Sequence, residues 1–238
     1  MQGASKTFIA ACFAILVSAC GGGGKYSAPP PSANYDLQTG IANMVTSGLS
    51  ANVALSGTAS VNGVSHAFTG SGTFTRAPGV SATFNSTLAS SQMTTVAGSI
   101  TIAGQSSSYS TSVTDYYASS DSALLGEVSG SEYDVAQAPI VFPTMVVAGS
   151  SETLGTLSRY TDSTMSVLLG TAQVSYLATA PVDPGSPIGV ALTTKIYDTQ
   201  NTLIETDVTN YTMTSSNVIS LSSASAQTQS GMLTVTVQ

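Results

Sequence analysis

From residue 49 to the C-terminus the apolar side chains of this chain recur at every second position. Val53, Leu55, Gly57, Ala59 and Val61 alternate with Ala, Ser, Thr and Ser. A period of two is the period of a strand, whose side chains point to opposite faces in turn, and a helix cannot bury such a pattern on one side. The exception is residues 36–48, where Ile41, Met44 and Val45 fall at i, i+3 and i+4. That spacing predicts at most a short helix, bounded by Gly40 and Gly48.

Turn residues cut the alternating region into short pieces. Asn62-Gly63 is a strong two-residue hairpin signal, because both central residues of a type I′ turn take positive φ. The returning strand, about 64–75, carries Phe68 and Phe74 and ends at Arg76-Ala-Pro-Gly79. Val80, Ala82 and Phe84 alternate next, and 92–102 and 105–117 read as a hairpin around Ala103-Gly104. The second half offers strands at 132–137, 144–148, 154–160, 165–179, 188–198, 203–213, 217–226 and 232–237, with a turn at Asp183-Pro184-Gly185. About thirteen strands and no long helix make this an all-β chain, an antiparallel sandwich or open barrel-like sheets. A faint echo of Tyr117, Leu124, Leu125, Glu127, Tyr133 and Val135 in Tyr197, Leu203, Ile204, Glu205, Tyr211 and Met213 suggests a duplicated β unit. It would divide the chain into 35–128 and 129–238, although one continuous domain is equally compatible with the pattern.

The N-terminus is of another kind. Lys6 precedes the apolar run 7–19, which is too short for a membrane span of about 20 residues, and the run ends in Val17-Ser18-Ala19-Cys20. These four residues resemble the lipobox of bacterial, in particular Gram-negative, lipoproteins. The resemblance implies a signal peptide over 1–19, cleavage before Cys20, an S-diacylglycerol and an N-palmitoyl group on that cysteine, and a membrane as partner. Cys12 would leave with the signal, so the exported chain keeps one thiol and no internal disulfide. Residues 20–34, Gly-rich and then Pro-rich, read as a tether. Gly rather than Asp at position 21 implies the outer membrane as destination. The Ser/Thr-rich body is similar in style to β-rich envelope lipoproteins of unassigned function.

Composition removes several classes of function. Without residues 1–19 four Lys/Arg stand against twelve Asp/Glu, a formal charge of −8, so no basic face serves nucleic acid. Charged residues make up 7% of the chain, whereas serine and threonine make up roughly 30%, against a usual quarter of charged residues. His66 is the single histidine and lies within a strand, and no Gly-x-Ser-x-Gly elbow is present. No metal set and no cofactor fingerprint is legible, and Gly70-Ser71-Gly72 reads as close strand packing or a bulge.

Carboxylates are what remains for chemistry. Glu127, Glu132 and Asp134 lie close in sequence, as a carboxylate-pair glycosidase would require. Asp162, and Asp207 near Glu205, suit turns or surfaces as well. Tyr109, Tyr116, Tyr117, Tyr133, Tyr160 and Tyr176 could form a sugar platform or be ordinary strand residues. The lead expectation is a membrane-anchored envelope lipoprotein, not an enzyme, with a binding or structural role and no catalytic residues. The alternatives are a small-ligand or lipid carrier, a carbohydrate-active enzyme, and an adhesin or assembly subunit.

Overall fold

A computed structural model describes residues 35–61, 63–130, 132–181, 183 and 185–238. The expected signal segment, Cys20 and the expected tether lie outside them, as do Asn62 and Pro184. One helix, α1 (Leu37–Ser47), precedes thirteen strands among the described residues. They are β1 (Leu49–Val61), β2 (Val64–Arg76), β3 (Val80–Phe84), β4 (Thr87–Ile102), β5 (Gln105–Ala118), β6 (Leu124–Ser129) and β7 (Glu132–Ile140). β8 (Ser151–Tyr160), β9 (Leu168–Thr179), β10 (Ile188–Asp198), β11 (Leu203–Met213), β12 (Ile219–Thr228) and β13 (Gly231–Val237) complete the set.

All thirteen belong to one antiparallel sheet, and that sheet closes. β1 pairs with β13, and β2 pairs with β4. β2 takes the upper part of one edge of β4, Thr94 to Ile102, and β3 takes the lower part, Thr87 to Ser91. β2 and β3 are therefore two lengths of one wall strand, interrupted at Ala77-Pro78-Gly79. Pro78 has no N–H for the ladder, and the Gly79 N–H leaves the sheet to donate to the Val45 carbonyl on α1 at 2.6 Å. The result is a closed barrel of twelve strands. Closure removes the exposed edges that an open sheet would present.

The all-β reading holds, and of the sandwich and the open barrel-like sheets expected from the sequence it is the barrel that forms, closed rather than open. Its details differ in two places. Residues 144–148 form no strand; Val146 makes a lone bridge to Tyr35, and it is buried because the loop from β7 to β8 packs beneath the helix. Conversely β6 was not expected, since Gly126 and Ser129 break its apolar row. β6 contains the 128/129 division and pairs on both sides, with β5 and β7, so the sheet runs on through that point.

The seam between β2 and β4 is made of glycine. Gly72 faces Gly98 and Gly70 faces Ile100. A Cβ on Gly70 would run into the backbone oxygen of Ser99, and one on Gly72 into that of Ala97. Gly70-Ser71-Gly72 is thus close strand packing. The outer wall carries hydroxyls: Ser65, Thr69, Ser71 and Thr73 on β2, and Ser106, Ser108 and Ser110 on β5, are exposed. A membrane-spanning barrel turns an apolar band outward. These stretches of β2 and β5 carry no such band, whereas Leu88, Met93, Leu168, Leu177 and Leu203 are exposed on other strands.

Helix α1 closes one end of the barrel. The Asp36 side chain caps it by accepting from the Thr39 N–H at 2.9 Å, and Gly48, at φ 69°, ends it and turns the chain into β1. Four loops supply the segment 35–38 with partners. Gln38 donates to the Asp121 carbonyl at 3.0 Å, the Leu37 N–H to Pro143 at 3.1 Å, the Tyr35 hydroxyl to Ser186 at 3.3 Å, and the Asp36 N–H to the Asn217 side chain at 3.0 Å. Leu37, Ile41, Met44 and Val45 are buried beneath it.

Candidate ligand-binding site

The inward faces of the strands do not carry only apolar residues. On β11 the row Glu205, Asp207, Thr209 and Tyr211 lines the lumen, as Leu192, Thr194 and Ile196 do on β10. Between these walls lies a cavity of about 210 Å³. Six carboxyl groups line it, Asp115, Glu127, Glu132, Asp134, Glu205 and Asp207, together with Arg76 and Arg159. Half of the chain's twelve acids and both of its arginines are therefore in the lumen.

Their register is ordered. Gln92, Asp115, Glu127, Asp134 and Arg159 are successive cross-strand partners on β4, β5, β6, β7 and β8. Directly opposed side chains have Cβ atoms about 5 Å apart, and like charges there repel. Three carboxyl groups in one row can coexist only with counter-charge or protons. The arginines supply counter-charge at both flanks.

Arg76 serves one flank. It forms an ion pair with Asp115 and donates to the hydroxyls of Tyr211 and Tyr117, each at 3.0 Å, and to Gln92 Oε1 at 3.1 Å. Tyr117 donates onward to Asp115 at 3.3 Å. Arg159 serves the other flank, with Nε donating to Asp134 Oδ2 at 3.2 Å and a second ion pair to Glu132. Glu132 stands at the mouth: its side chain is 34% exposed, whereas that of Arg159 is 5% exposed.

Protons supply the rest. Burial pushes the Glu127 carboxyl well above the usual carboxylate range, and the neighbouring Asp115 and Asp134 add to it. Burial likewise raises Asp134 to about 7 against the pull of Arg159. Glu205 is raised by burial to about 7 as well, and Asp207 further above its ordinary value by burial and the adjacent Glu205. Both shifts favour the protonated carboxyl. Asp134 Oδ1, Glu205 Oε1 and Asp207 Oδ1 are buried and accept no hydrogen bond. A buried acceptor without a donor costs about 1–3 kcal/mol, more when charged.

His66 sits opposite Ala59 near the hairpin end of β2, roughly 30 Å along the strand from Arg76 and away from the cavity. Asp162 is an exposed turn residue that accepts from the Thr164 N–H at 2.8 Å. The tyrosines form no common platform. Tyr116 and Tyr133 stack on Phe84 with centroid separations of 4.5 and 4.9 Å, Tyr117 belongs to the Arg76 network, and Tyr176 reaches Ser150 at 3.3 Å.

Glu127, Glu132, Asp134, Glu205 and Asp207 are brought together, whereas Arg76, Asp115, Gln92 and Arg159 were missed by sequence reasoning. Parity was the available signal. Arg76 continues the even-numbered row of Phe68 and Phe74, and Arg159 is two residues on from the buried Leu157. Among the described residues no group of three or more His, Cys, Asp or Glu is disposed to hold a metal ion.

No family model matches the chain, and no curated protein matches it. Among solved structures, a DUF1329 family protein from Desulfovibrio piger is similar at 8% identity, over 86% of this chain and 92% of that chain, with a TM-score of 0.26. That score is too low to carry functional likeness across.

Proposed function

We propose that this protein is a non-catalytic binding lipoprotein of the cell envelope, anchored through acylated Cys20 and taking up a small ligand in its barrel lumen. The observation that carries the reading is the cavity of about 210 Å³, bounded by apolar side chains on one part of its wall and by buried, unpaired carboxyl oxygens on another. About eight strands give an interior that side chains just fill, and the diameter grows with strand number, so twelve leave room for a ligand. Ligand pockets combine an apolar lining with a few convergent polar groups.

The lipobox and tether support the anchor, with the outer membrane as its site, and the hydroxyl-bearing outer faces of β2 and β5 support a barrel standing in water beside the bilayer. Against a carboxylate-pair enzyme stands the engagement of Glu132 and Asp134 by a single guanidinium, which commits both to ion pairing.

Two measurements test the reading. Intact mass and membrane partition of wild type and Cys20→Ala should show acyl mass and detergent-dependent solubility in the first and neither in the second. Leu192→Trp, which fills the lumen, should abolish binding of a small neutral aromatic such as benzyl alcohol, followed by amide chemical shifts. Wild-type protein that binds no small molecule would end the carrier reading.

A further inference from the structure

The lumen holds more carboxyl groups than its two arginines can pair, and their free oxygens identify what is missing. Asp134 and Glu205 are 7% and 6% exposed, line the cavity, and each keeps one oxygen with no donor. Both arginines are already engaged, Arg76 with Gln92 and Asp115 and Arg159 with Glu132 and the other oxygen of Asp134. The cavity therefore offers an excess of carboxyl acceptors; its uncharged donors are hydroxyls such as those of Thr94, Thr111, Ser112, Thr194 and Thr209, and no cationic group is left over to meet the free carboxyl oxygens. An anionic ligand would meet six carboxyl groups, and a neutral apolar one would leave the acceptors unsatisfied.

Building on the binding role proposed above, we infer that the ligand is a compact organic cation, an amine or guanidine on an apolar body, whose N–H groups meet the free oxygens of Asp134 and Glu205. A bare metal ion fits less well, because among the described residues no three acids are disposed to ligate one. An organic cation can bridge carboxyl groups spread over β7 and β11 while its body lies against Val96, Leu157, Val174 and Leu192. A cavity of about 150 Å³ accepts benzene, so this one takes roughly eight to ten non-hydrogen atoms.

The route in is beside Glu132, the lumen acid that is one-third exposed, at the end opposite α1. The groups facing an entering cation are Glu127, Glu132, Asp134, Glu205 and Asp207 on three strands, with Arg159 between Glu132 and Asp134. A cation favours the ionised carboxylates. Its affinity therefore rises as pH climbs through about 7, where Asp134 and Glu205 release their protons.

Benzylamine, benzyl alcohol and benzoate are nearly isosteric and of the required size, so the three separate charge from shape. Titration of the full-length acylated protein in detergent, by calorimetry and amide shifts, should give benzylamine about tenfold or more advantage over benzyl alcohol near pH 8. That is the scale of one charge-assisted hydrogen bond. The advantage should shrink near pH 5, where the amine is still cationic and the carboxyls are protonated. Glu205→Gln with Asp134→Asn should lose the advantage and keep benzyl alcohol binding, which also reports that the variant is folded.

Equal binding of benzylamine and benzyl alcohol at both pH values would overturn the cation inference and leave the binding role standing. Preference for benzoate would overturn it too, assigning the ligand to the arginines. Calcium that displaces benzylamine would replace the organic cation with an inorganic one. Absence of binding by all three aromatics would remove the binding role itself. The pH comparison on wild type keeps the test decisive if the double variant fails to fold.

Discussion

Arg76 and Gln92 lie side by side on the inner wall, and the Arg76 Nε–H donates to Gln92 Oε1 at 3.1 Å. Gln92 is fully buried, and its amide donates to the carbonyls of Met44 on the helix, at 2.9 Å, and of Ala77 at the strand break, at 3.0 Å. One glutamine thus links the plug, the broken strand and the arginine that neutralises Asp115. The lumen charges and the closed end form one hydrogen-bonded unit.

Replacing Arg76 by methionine should therefore do more than delete a charge. It leaves Asp115 buried without its cation and Gln92 without a donor, the situation that costs about 3–5 kcal/mol when one partner of a buried pair is removed. Denaturant unfolding of purified protein should show the loss. Asp115→Asn should restore part of it in the Arg76→Met background while being harmful alone, since neighbours in one network do not act additively. Simple additivity of the two changes would show that the ion pair is not the source.

The lumen protons make stability depend on pH in an unusual direction. Asp134 and Glu205 titrate near 7 in the folded barrel, against ordinary values of 3.8 and 4.5. Between about 4 and 7 the folded state holds protons that the unfolded chain has released. A raised folded value contributes stability that is complete below the unfolded value and is lost as pH rises through the folded one. The unfolding free energy should fall from about pH 4.5 to pH 7.5, by up to about 1.4 kcal/mol per pH unit for each proton held, and the melting temperature should fall with it. Glu205→Gln should flatten that slope, and a profile rising over the same window would refute the assignment.

Much of this molecule is written in its period of two. Alternation and turn residues give the all-β class, a strand count in which the missed β6 offsets the strand expected at 144–148, and a short helix, which starts at Leu37 and runs through Gly40 where the sequence spacing has Gly40 bound it. Closure is not written there, because it depends on β2 meeting β4 through Gly70, Gly72 and Gly98, and a glycine in a strand reads the same at a seam as at a bulge. The site was half legible. Glu127, Glu132 and Asp134 drew notice as neighbours, but Glu205 and Asp207 reach them only through the barrel's curvature. The lumen-facing row of β11 opens with Glu205, Asp207 and Thr209, so the rule that apolar residues face inward does not find the site there.

The seam predicts its own weak point. A side chain at Gly72 would collide with the Ala97 carbonyl, a backbone atom that can yield only if the strands part. Gly72→Val should open the β2–β4 pairing, with hydrogen exchange accelerating at Gly70 to Thr75 and Thr95 to Thr101 ahead of β8 to β11. Exposed edges of this kind invite pairing with other chains, so the variant should also self-associate, as sedimentation velocity would show. Gly104→Val is the control: its Cβ would meet nothing within 4 Å, though it carries a positive φ of 77°, so it should leave the seam protected even if it costs some stability.

Gly40 governs how the helix sits in the barrel end. A Cβ there would lie 2.9 Å from Ile219 Cδ1 and 3.0 Å from Met213 Sδ, both far ends of flexible side chains that can move by a few tenths of an ångström. Gly40→Ala gains helix propensity of about 1 kcal/mol and loses a comparable amount to crowding, so its stability should stay within about 1 kcal/mol of wild type. Gly40→Leu has no such offset: overpacking of a filled site costs about 1–3 kcal/mol, and the helix must lift. Because Tyr35, Asp36, Leu37 and Gln38 are bonded to four different loops, lifting should raise hydrogen exchange in α1 and around Asp121, Pro143, Ser186 and Asn217 together, while the strands keep their protection. Exchange confined to the helix alone would show that the loops close that end without it.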